Sequence, residues 1–362
     1  MACMEKGKIW LIFGLSVCLF SKSFGFELSG KDSLKKSKLN LNYIQLLTDR
    51  WNIGLDIERR VNEFQIVNFK TSGNPLNYQS NNTNVIILST NYKWLFVRLG
   101  LLKFNTEVDK KGATKQFQLG FMLAGRRFIT QGLFQNFNGF YLSNANSFLP
   151  DYDNQPNNQF IRPDIQNTRL SAGIMYNTNS KRFSYRAAVG GSEIQKKRAG
   201  AFLVAMNFTA NNVFSSSNKT IISDDFQPFF ESNNSQYLNY NRFTKQESIT
   251  LGLSLGYAYT LVIKQKFFLS AMILPSFASQ TGRYKDDLNV TRKYPSSIIQ
   301  MNEGRVVFGY NYNHHFTSIQ FQTVNYTNQI ELVPTLNSQY TMFRISYGYR
   351  FLPPKLLKRI AR

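Results

Sequence analysis

Cysteine, histidine and acidic residues are scarce in this chain. Its 362 residues include two cysteines, Cys3 and Cys18, and two histidines, the adjacent pair His314 and His315. Because both cysteines lie near the start, the remainder of the chain has no disulfide, no thiolate nucleophile and no cysteine-based metal site. Neighbouring histidines on a strand point to opposite faces, so we interpret this pair as surface turn residues rather than metal ligands. No metal or cofactor is expected.

Long hydrophobic runs are also missing. After residue 25, no stretch reaches the roughly 18 uncharged apolar residues that a membrane-spanning helix needs. The run Ile9–Phe20 is shorter; Lys6 and Lys8 precede it, and Ser23-Phe24-Gly25 follows with small residues where a signal peptidase reads. Residues 1–25 are therefore predicted to be a cleavable signal peptide, with a retained membrane anchor as the alternative. Residues 26–49 would form a periplasmic segment.

Negative charge is low as well: 43 Lys and Arg against 21 Asp and Glu give a net charge of +22. Such a balance is compatible with nucleic-acid binding. The longest basic block, however, is Lys196-Lys197-Arg198, and the other basic residues are spread along the chain. Nucleic acid is therefore not an expected partner. Outer-membrane lipid, lipopolysaccharide and small anionic solutes are better partners for a basic surface of this kind.

What the sequence does contain is alternation, which is clearest in Ile249–Thr260. Every second residue from Ile249 to Tyr259 is a large apolar residue or a tyrosine, and the residues between them are small or mildly polar. Successive side chains of a strand point to opposite faces, and a tilted strand of about 9–11 residues crosses a bilayer. An apolar outer face, a slim inner face and tyrosines near one end are typical of a transmembrane barrel strand.

The same period of two recurs along most of the chain. It predicts an all-β fold, an antiparallel transmembrane β-barrel of about 12–14 strands over residues 50–351. A soluble sandwich is the alternative, and it would need a second sheet to cover the apolar stripes. The basic segment 352–362 is predicted to be a solvated tail, with lipid-headgroup contact as its alternative. The expected location is the cell outer membrane.

Connection lengths support the barrel but leave one conflict. Counting back from Phe351, with a strand predicted at Arg182–Gly190 and a turn at Gly191–Arg198, long connections alternate with short ones, as in outer-membrane barrels. The count then places the long segment Leu142–Asn167 on the periplasmic side, among the short turns. A miscounted strand, or an unusual periplasmic loop or plug, would explain this.

Six short segments carry a family resemblance: Pro75–Tyr78, Arg162–Ile165, Asn179–Ala188, Glu193–Ala201, Tyr257–Thr260 and Tyr347–Phe351. From about Tyr43 onward the chain resembles an uncharacterised bacterial family, domain of unknown function 4421, found largely in Bacteroidota. The resemblance implies an exported chain that forms an outer-membrane barrel, and it brings no known activity. The most specific part of the resemblance is the block Phe183–Gly200. It implies either a docking or lumen site or a tight turn stabilised by charge pairs. The candidates from this block are Phe183, Ser184, Tyr185, Glu193, Gln195, Lys197 and Gly200.

The predicted strand phases also give a set of inward-facing charges, in which arginines outnumber carboxylates. Rings of arginine or lysine in a lumen favour anions. The alternative is a packed lattice of arginine, tyrosine and carboxylate side chains that fills and stiffens the interior. The lumen candidates are Arg50, Arg98, Arg169, Arg182, Arg186, Arg305, Arg344 and Arg350, together with Asp56 and Glu58.

A catalytic role has weaker support. Ser184, Glu193 and His315 can be imagined as nucleophile, orienting group and base, but no spacing links them. The sequence therefore predicts a non-enzymatic outer-membrane barrel of structural, binding or pore type with an anion-favouring lumen. The alternative is an outer-membrane barrel enzyme that acts on lipid or on a surface polymer.

Overall fold

The computed structural model describes residues 39–47, 49–66, 75–81, 83–105, 108–149, 160–230, 240–328 and 336–354. The chain divides into two units, of which the second, Asn40–Phe351, contains every strand described below. The predicted signal peptide lies outside the described residues, as do most of the predicted periplasmic segment and most of the basic tail.

Fifteen strands, two short α-helices and three 3₁₀ helices make up the regular structure of the described residues. The 3₁₀ helices are Ala145–Ser147, Asp224–Phe230 and Tyr240–Arg242. The α-helices are α1 (Val108–Lys111) and α2 (Tyr185–Val189). The strands are β1 (Ile44–Leu46), β2 (Trp51–Ile66), β3 (Leu76–Gln79), β4 (Thr83–Tyr92), β5 (Leu95–Phe104), β6 (Lys115–Ala124), β7 (Phe128–Leu142), β8 (Ile161–Asn177), β9 (Glu193–Gln195), β10 (Ala199–Ser215), β11 (Phe243–Ile263), β12 (Phe267–Asp286), β13 (Thr291–Tyr312), β14 (His315–Asn328) and β15 (Leu336–Phe351).

Twelve of these strands form a closed antiparallel barrel, which confirms the predicted fold class. Neighbours follow chain order, and β15 pairs with β2 from Trp51↔Phe351 to Ile66↔Leu336 to close the wall. Closure gives each of these twelve strands a neighbour on both sides, so the barrel wall has no edge strand. We call the end at which β2 begins and β15 ends the terminus end, and the opposite end the loop end. No helix in the described part of the chain is long and apolar enough to cross a membrane.

The strand β11 shows why the chain forms this wall. Its residues Ile249, Leu251, Leu253 and Leu255 point outward, and Leu253 is 67% exposed, whereas the intervening Ser254 is 3% exposed. The same alternation continues in β12 and in the C-terminal half of β13. An outer face this rich in bare apolar side chains is unfavourable in water and favourable in hydrocarbon.

Pro275 and Gly256 mark a local irregularity in this wall. Pro275 has no N–H to donate, and the pairing of β12 with β11 is interrupted opposite it, although the pairing with β13 continues through Pro275↔Asn302. At the interruption, the backbone of Ile273 and Leu274 lies so close to Gly256 that a Cβ there would collide with it. A glycine at this position accommodates a strand that has lost a ladder hydrogen bond.

The segment between β8 and β10 adds no strand to the barrel wall but folds into the terminus end of the barrel. We call residues 181–198 the plug. It contains α2 and β9, and β9 pairs with β1 in a separate two-stranded sheet through Ile44↔Gln195, Gln45↔Ile194 and Leu46↔Glu193. Inward side chains of β2, β4, β13 and β15 all contact the plug, so it lies inside the wall.

The plug corrects the sequence prediction of a strand at Arg182–Gly190, which is wrong. All residues from Phe183 to Ala188 are buried, so the apparent period of two reflects burial on every side rather than one half-buried face. The predicted turn Gly191–Arg198 contains β9. Without the extra strand, the connection between β7 and β8 falls at the loop end with the other long connections, and the conflict over Leu142–Asn167 disappears.

An aromatic cluster occupies the loop end. The short strand β3 pairs with both β2 and β7 and so bridges the barrel above the ends of β4, β5 and β6. The ring of Phe64 stacks on that of Tyr78, with centroids 5.0 Å apart, and meets Phe140 edge-on at 5.1 Å. The other buried rings of this cluster are Phe137, Phe148, Phe226, Tyr240, Phe243, Tyr284 and Tyr294.

Candidate functional site: an arginine-lined chamber

Between the plug and the aromatic cluster, the barrel encloses a chamber of about 190 Å³. On the β6, β7, β8 and β10 side the described lining residues are uncharged apart from Arg169, and Gly120 and Gly173 leave the backbone bare. The opposite side, from β13 to β15 and β2 to β5, is charged. Five arginines line the chamber: Arg60, Arg98, Arg169, Arg305 and Arg344.

Glu58 is the centre of a charge network on this wall. It is fully buried, and its Oε2 accepts hydrogen bonds from Arg98 Nη2 at 3.1 Å and from Arg344 Nη2 at 2.7 Å. Its Oε1 lies 3.0 Å from Arg60 Nη2. Asp56 Oδ2 accepts from Arg98 Nε at 3.3 Å. Two carboxylates thus hold three guanidinium groups in place, and buried charges require such pairing.

Tyr340 joins two of the arginines from different strands. The guanidinium carbon of Arg60 lies 4.8 Å from the centre of the Tyr340 ring, and that of Arg169 lies 5.8 Å from it. Arg169 also donates from Nε to Ser171 Oγ at 3.2 Å. Cation–π attraction stabilises both contacts. As a result, β2 and β8 present positive charge to the same aromatic ring across the chamber.

Arg305 links the chamber to the plug. Its Nη1 donates to the hydroxyl of Tyr185 at 2.7 Å, and its guanidinium carbon lies 4.5 Å from the centre of the same ring. Glu303, two residues earlier on β13, is the one carboxylate among the described lining residues and accepts from Gln322 Nε2 at 2.9 Å. A movement of the plug would therefore change the position of a chamber arginine.

Side chains of the barrel wall hold the plug by its backbone carbonyls. Asn52 and Asn91 both donate to the carbonyl of Gly190, at 3.2 and 2.9 Å. Asn311 donates to the carbonyls of Ala187 and Glu193 at 3.0 and 2.9 Å. Contacts of this type fix a segment without depending on its side chains, because every residue carries a carbonyl.

Arg350 donates to three backbone carbonyls, one in the plug and two at the turn between β13 and β14. Its Nε donates to the carbonyl of Gly191 at 2.8 Å, and its Nη1 donates to the carbonyls of Asn313 and His315 at 2.8 and 3.1 Å. Its Nη2 donates to Asn311 Oδ1. This arginine was predicted to line the lumen; it points inward, but its donors are used to fasten the plug and a wall turn.

Within the plug, the residues of the family block meet. Ser184 Oγ donates to Glu193 Oε2 at 2.6 Å and accepts from the backbone N–H of Ala187 at 3.0 Å, which makes Ser184 the N-cap of α2. The N–H of Ser184 donates to Gln195 Oε1 at 2.8 Å. Arg186 Nη1 lies 3.5 Å from Glu193 Oε1. Burial lowers the pKa of Arg186, and the Glu193 carboxylate opposes that shift.

The remaining family-block residues have packing positions. Phe183 and Tyr185 are buried in the apolar cluster that joins the plug to the wall. Lys197 is exposed, with its Nζ 5.8 Å from the centre of the Tyr43 ring. Gly200 faces outward beneath Tyr257, whose ring covers the position where a Cβ would stand.

Two predicted lumen arginines lie elsewhere. Arg182 is exposed on the plug, 5.3 Å from the centre of the Tyr43 ring. Arg50 precedes β2 and contacts His314 Nδ1 from its Nη1 at 3.1 Å. Both assignments assumed strands that do not include these residues. The other lumen candidates, Arg98, Arg169, Arg186, Arg305, Arg344, Arg350, Asp56 and Glu58, have buried or largely buried side chains inside the wall.

Sequence reasoning missed Arg60 and Glu303. Both residues fall on the inward face of a strand whose other inward residues were already identified. Arg60 follows Asp56 and Glu58 at steps of two, and Glu303 precedes Arg305 by two. They were missed because the alternation predicts strands at Arg50–Ile57 and Arg305–Asn313, whereas β2 continues to Ile66 and β13 begins at Thr291. Asn52, Asn91 and Asn311 had no signal in the sequence, because their role depends on a plug that periodicity does not reveal.

The arrangement suits binding of anions better than acid–base or metal chemistry. His315 is exposed, and its Nδ1 lies 3.1 Å from the hydroxyl of Tyr347, so it is not among the hydrogen-bond partners that the structure gives Ser184. Among the described residues, no group of three or more His, Cys, Asp or Glu side chains could hold a metal ion. The geometry instead gathers guanidinium groups, which bind carboxylate and phosphate oxygens.

Solved structures with a similar fold are outer-membrane proteins. The outer membrane protease OmpT from Escherichia coli is 8% identical, with 85% of this chain and 98% of that chain covered and a TM-score of 0.37. The COG4313 outer membrane channel from Pseudomonas putida F1 is 9% identical, with 85% and 98% covered and a TM-score of 0.29. The translocator domain of the autotransporter NalP from Neisseria meningitidis is 8% identical, with 82% and 88% covered and a TM-score of 0.30.

At such identities the similarity concerns the fold alone. No curated protein sequence matches the chain significantly. One family model does match, and it covers residues 31–351, which include all twelve strands of the barrel, the plug and the chamber. The resemblance seen in the Pro75–Tyr78 and Asn179–Ala201 segments is thereby confirmed, and the chain belongs to the family described as Domain of unknown function (DUF4421).

Proposed function

We propose that this protein resides in the outer membrane as a β-barrel of binding or pore type and that its lumen admits small anions. The observation that carries the proposal is the charge of the chamber. Five arginines line it, whereas Glu303 lines it and Asp56 and Glu58 lie behind the arginines as their partners. Among the described residues two positive charges therefore remain in excess, and a confined space with such an excess attracts anions and repels cations.

The contacts of part of the arginine set also support the alternative interpretation, a packed lattice that stiffens the interior. The bonds among Glu58, Arg98 and Arg344 brace β2, β5 and β15 against one another. Bracing and anion attraction are compatible, because a paired guanidinium keeps donors and charge on the side away from its carboxylate. The plug occupies the terminus end, so passage of an anion through the lumen requires the plug to move.

Conductance in planar bilayers tests the pore component of the proposal. The informative variant carries Asn52→Ala and Asn91→Ala, which removes both donors to the carbonyl of Gly190. The matched control carries Asn136→Ala and Asn325→Ala, two asparagines on the outer faces of β7 and β14. We expect small currents from the wild type and the control, larger currents from the plug variant, and a reversal potential that favours chloride over potassium.

Cation preference in the plug variant would contradict the proposal, as would the lack of any current from it. Location is tested separately, by fractionation of membranes and by migration in detergent gels before and after heating. A membrane barrel resists detergent until heated, so the unheated protein should run as a distinct folded band. A soluble protein in the periplasmic fraction, or a single band under both conditions, would exclude the outer membrane.

A further inference from the structure

We infer that the chamber binds one small dianion of the phosphate class, held between Arg60 and Arg169 beside Tyr340. The inference rests on the proposed function, because it names the kind of anion that the lumen takes. It depends on three observations: the size of the charge excess, unpartnered donors on Arg60, and the convergence of two guanidinium groups on one ring.

The charge excess indicates a dianion. The described residues that line the chamber or lie directly behind its lining include five arginines and three carboxylates. The side formed by β6, β7, β8 and β10 adds only neutral groups apart from Arg169, such as Gln131 and Asn207. A buried positive charge without a counter-charge costs several kcal/mol. A single ion of charge −2 would balance the charges of these described residues.

Arg60 supplies donors that no described group uses. It is 3% exposed, and its Nη2 lies 3.0 Å from Glu58 Oε1 and 3.5 Å from Met342 Sδ. Its Nε and Nη1 are buried and have no hydrogen-bond partner among the described residues. A buried donor left without a partner costs about 1–3 kcal/mol, and more on a charged group. Oxygen atoms of an anion in the chamber would satisfy these donors.

The position of the ion follows from Tyr340. Arg60 on β2 and Arg169 on β8 come from separate parts of the wall, yet both lie against this ring. Like charges that converge repel one another, and an anion bound between them would offset this repulsion. Guanidinium groups bind phosphate and sulfate oxygens through several charge-assisted N–H donors. An anion with oxygens pointing in several directions can therefore bridge the two arginines.

The size of the chamber limits the ligand. A cavity needs roughly 15 Å³ to hold one buried water. The chamber of about 190 Å³ therefore accommodates a small ion with a few waters. Inorganic phosphate, sulfate or a phosphate monoester of a small alcohol fits this description. A polymer does not. The ligand class is thus defined by charge, by oxygen geometry and by volume together.

Equilibrium dialysis of the purified full-length barrel in detergent against radiolabelled inorganic phosphate tests the inference. The variant is Arg60→Gln, and the control is Arg59→Gln, since Arg59 is the adjacent residue of β2 but points outward. We expect saturable binding of one phosphate per chain to the wild type and the control. In Arg60→Gln the affinity should fall about tenfold or more, the loss expected for charge-assisted hydrogen bonds.

Two further variants keep the test valid if Arg60→Gln does not fold, which the heated and unheated gel bands will show. Arg60→Lys retains the charge but not the fork of donors, and Arg169→Gln removes the second guanidinium without touching Glu58. Weakened phosphate binding in either variant supports the site. Glycerol phosphate as a competitor distinguishes the sources: stronger competition than by unlabelled phosphate assigns a phosphoester, and weaker competition assigns the free ion.

Some outcomes would overturn the inference. They are no saturable binding to the wild type, undiminished binding to folded Arg60→Gln and Arg169→Gln, or equal competition by chloride. If the bilayer currents nevertheless favour chloride, the proposed function stands and only the phosphate site fails. If the currents favour potassium, both fail.

Discussion

Ser184, the N-cap of α2, donates a hydrogen bond of 2.6 Å from its Oγ to Oε2 of Glu193, the first residue of β9. A serine beside a carboxylate can suggest catalysis, but this hydroxyl also caps α2 through the N–H of Ala187. Both of its bonds serve the shape of the plug. The pair is therefore a packing unit, and its removal should affect stability.

We predict that Ser184→Ala lowers the free energy of unfolding by about 2–4 kcal/mol, the sum of a lost helix cap and a buried carboxylate deprived of a donor. Unfolding in denaturant, followed by tryptophan fluorescence, measures the change. Ser180→Ala, in the connection that precedes the plug, is the control and should change stability little. Equal stability of the two variants would show that the bond contributes nothing.

Gly191 should be the least replaceable residue of the plug. It has φ +63°, and a Cβ there would lie 2.8 Å from Phe316 Cγ and 3.2 Å from Arg350 Nη2. Gly191→Ala combines this crowding with a strained backbone, so we expect the plug to loosen and bilayer currents to rise. Gly304→Ala is the control, because its Cβ would meet only Thr323 Cγ2 at 3.6 Å. Unchanged currents in Gly191→Ala would argue against a closed plug.

The pairing of β1 with β9 predicts that the segment preceding the barrel holds the plug in place. Gln45 and Ile194 are directly opposite in this pairing, and opposite residues of antiparallel strands have Cα atoms about 4.5–5.5 Å apart, within disulfide range. In a chain with Cys3 and Cys18 replaced by serine, Gln45→Cys with Ile194→Cys should cross-link on oxidation.

The cross-link should abolish the currents of the Asn52→Ala, Asn91→Ala variant, and reduction should restore them. Gln45→Cys alone is the control for oxidation effects. If the cross-linked protein conducts as well as the reduced one, the plug opens without separating from β1. If no cross-link forms, the β1–β9 pairing is not the resting arrangement.

Glu58 should contribute strongly to the stability of the barrel. Glu58→Gln leaves Arg60, Arg98 and Arg344 without their shared carboxylate, and breaking a buried ion pair in this way costs about 3–5 kcal/mol. Thermal unfolding in detergent measures the loss, and Asp109→Asn on the exposed helix α1 is the control. A melting temperature equal to that of the control would mean that Asp56 alone suffices.

The outer surface of this fold could be read from the sequence, because the hydrocarbon of a membrane imposes one requirement on every strand. Leu251 and Leu253 point outward as their spacing predicts. The interior has no such uniform requirement. Phe183 and Tyr185 alternate as strand residues would, yet they belong to a plug that is buried on all sides. Periodicity cannot distinguish that case from a strand.

The residues of the chamber were predictable only where the alternation of the strands is clear. Arg98 and Arg344 were found because they share an inward phase with Gly or Ser neighbours, whereas Arg60 lay past the point where the alternation in β2 weakens. Its convergence with Arg169 on Tyr340 joins residues that are far apart in the chain. Only the order in which strands close the barrel brings them together.

The unequal lengths of the strands have a consequence for how the molecule stands in a bilayer. β4, β5 and β6 have 10 residues each, about the span of the hydrocarbon layer, whereas β12 and β13 have 20 and 22. The outer face of β11 and β12 also becomes polar beyond Ile249, where Glu247 pairs with Arg283. In a bilayer, β4, β5 and β6 would therefore end near the headgroups. The loop-end parts of β11, β12 and β13 would extend beyond the headgroups into water as continuous sheet.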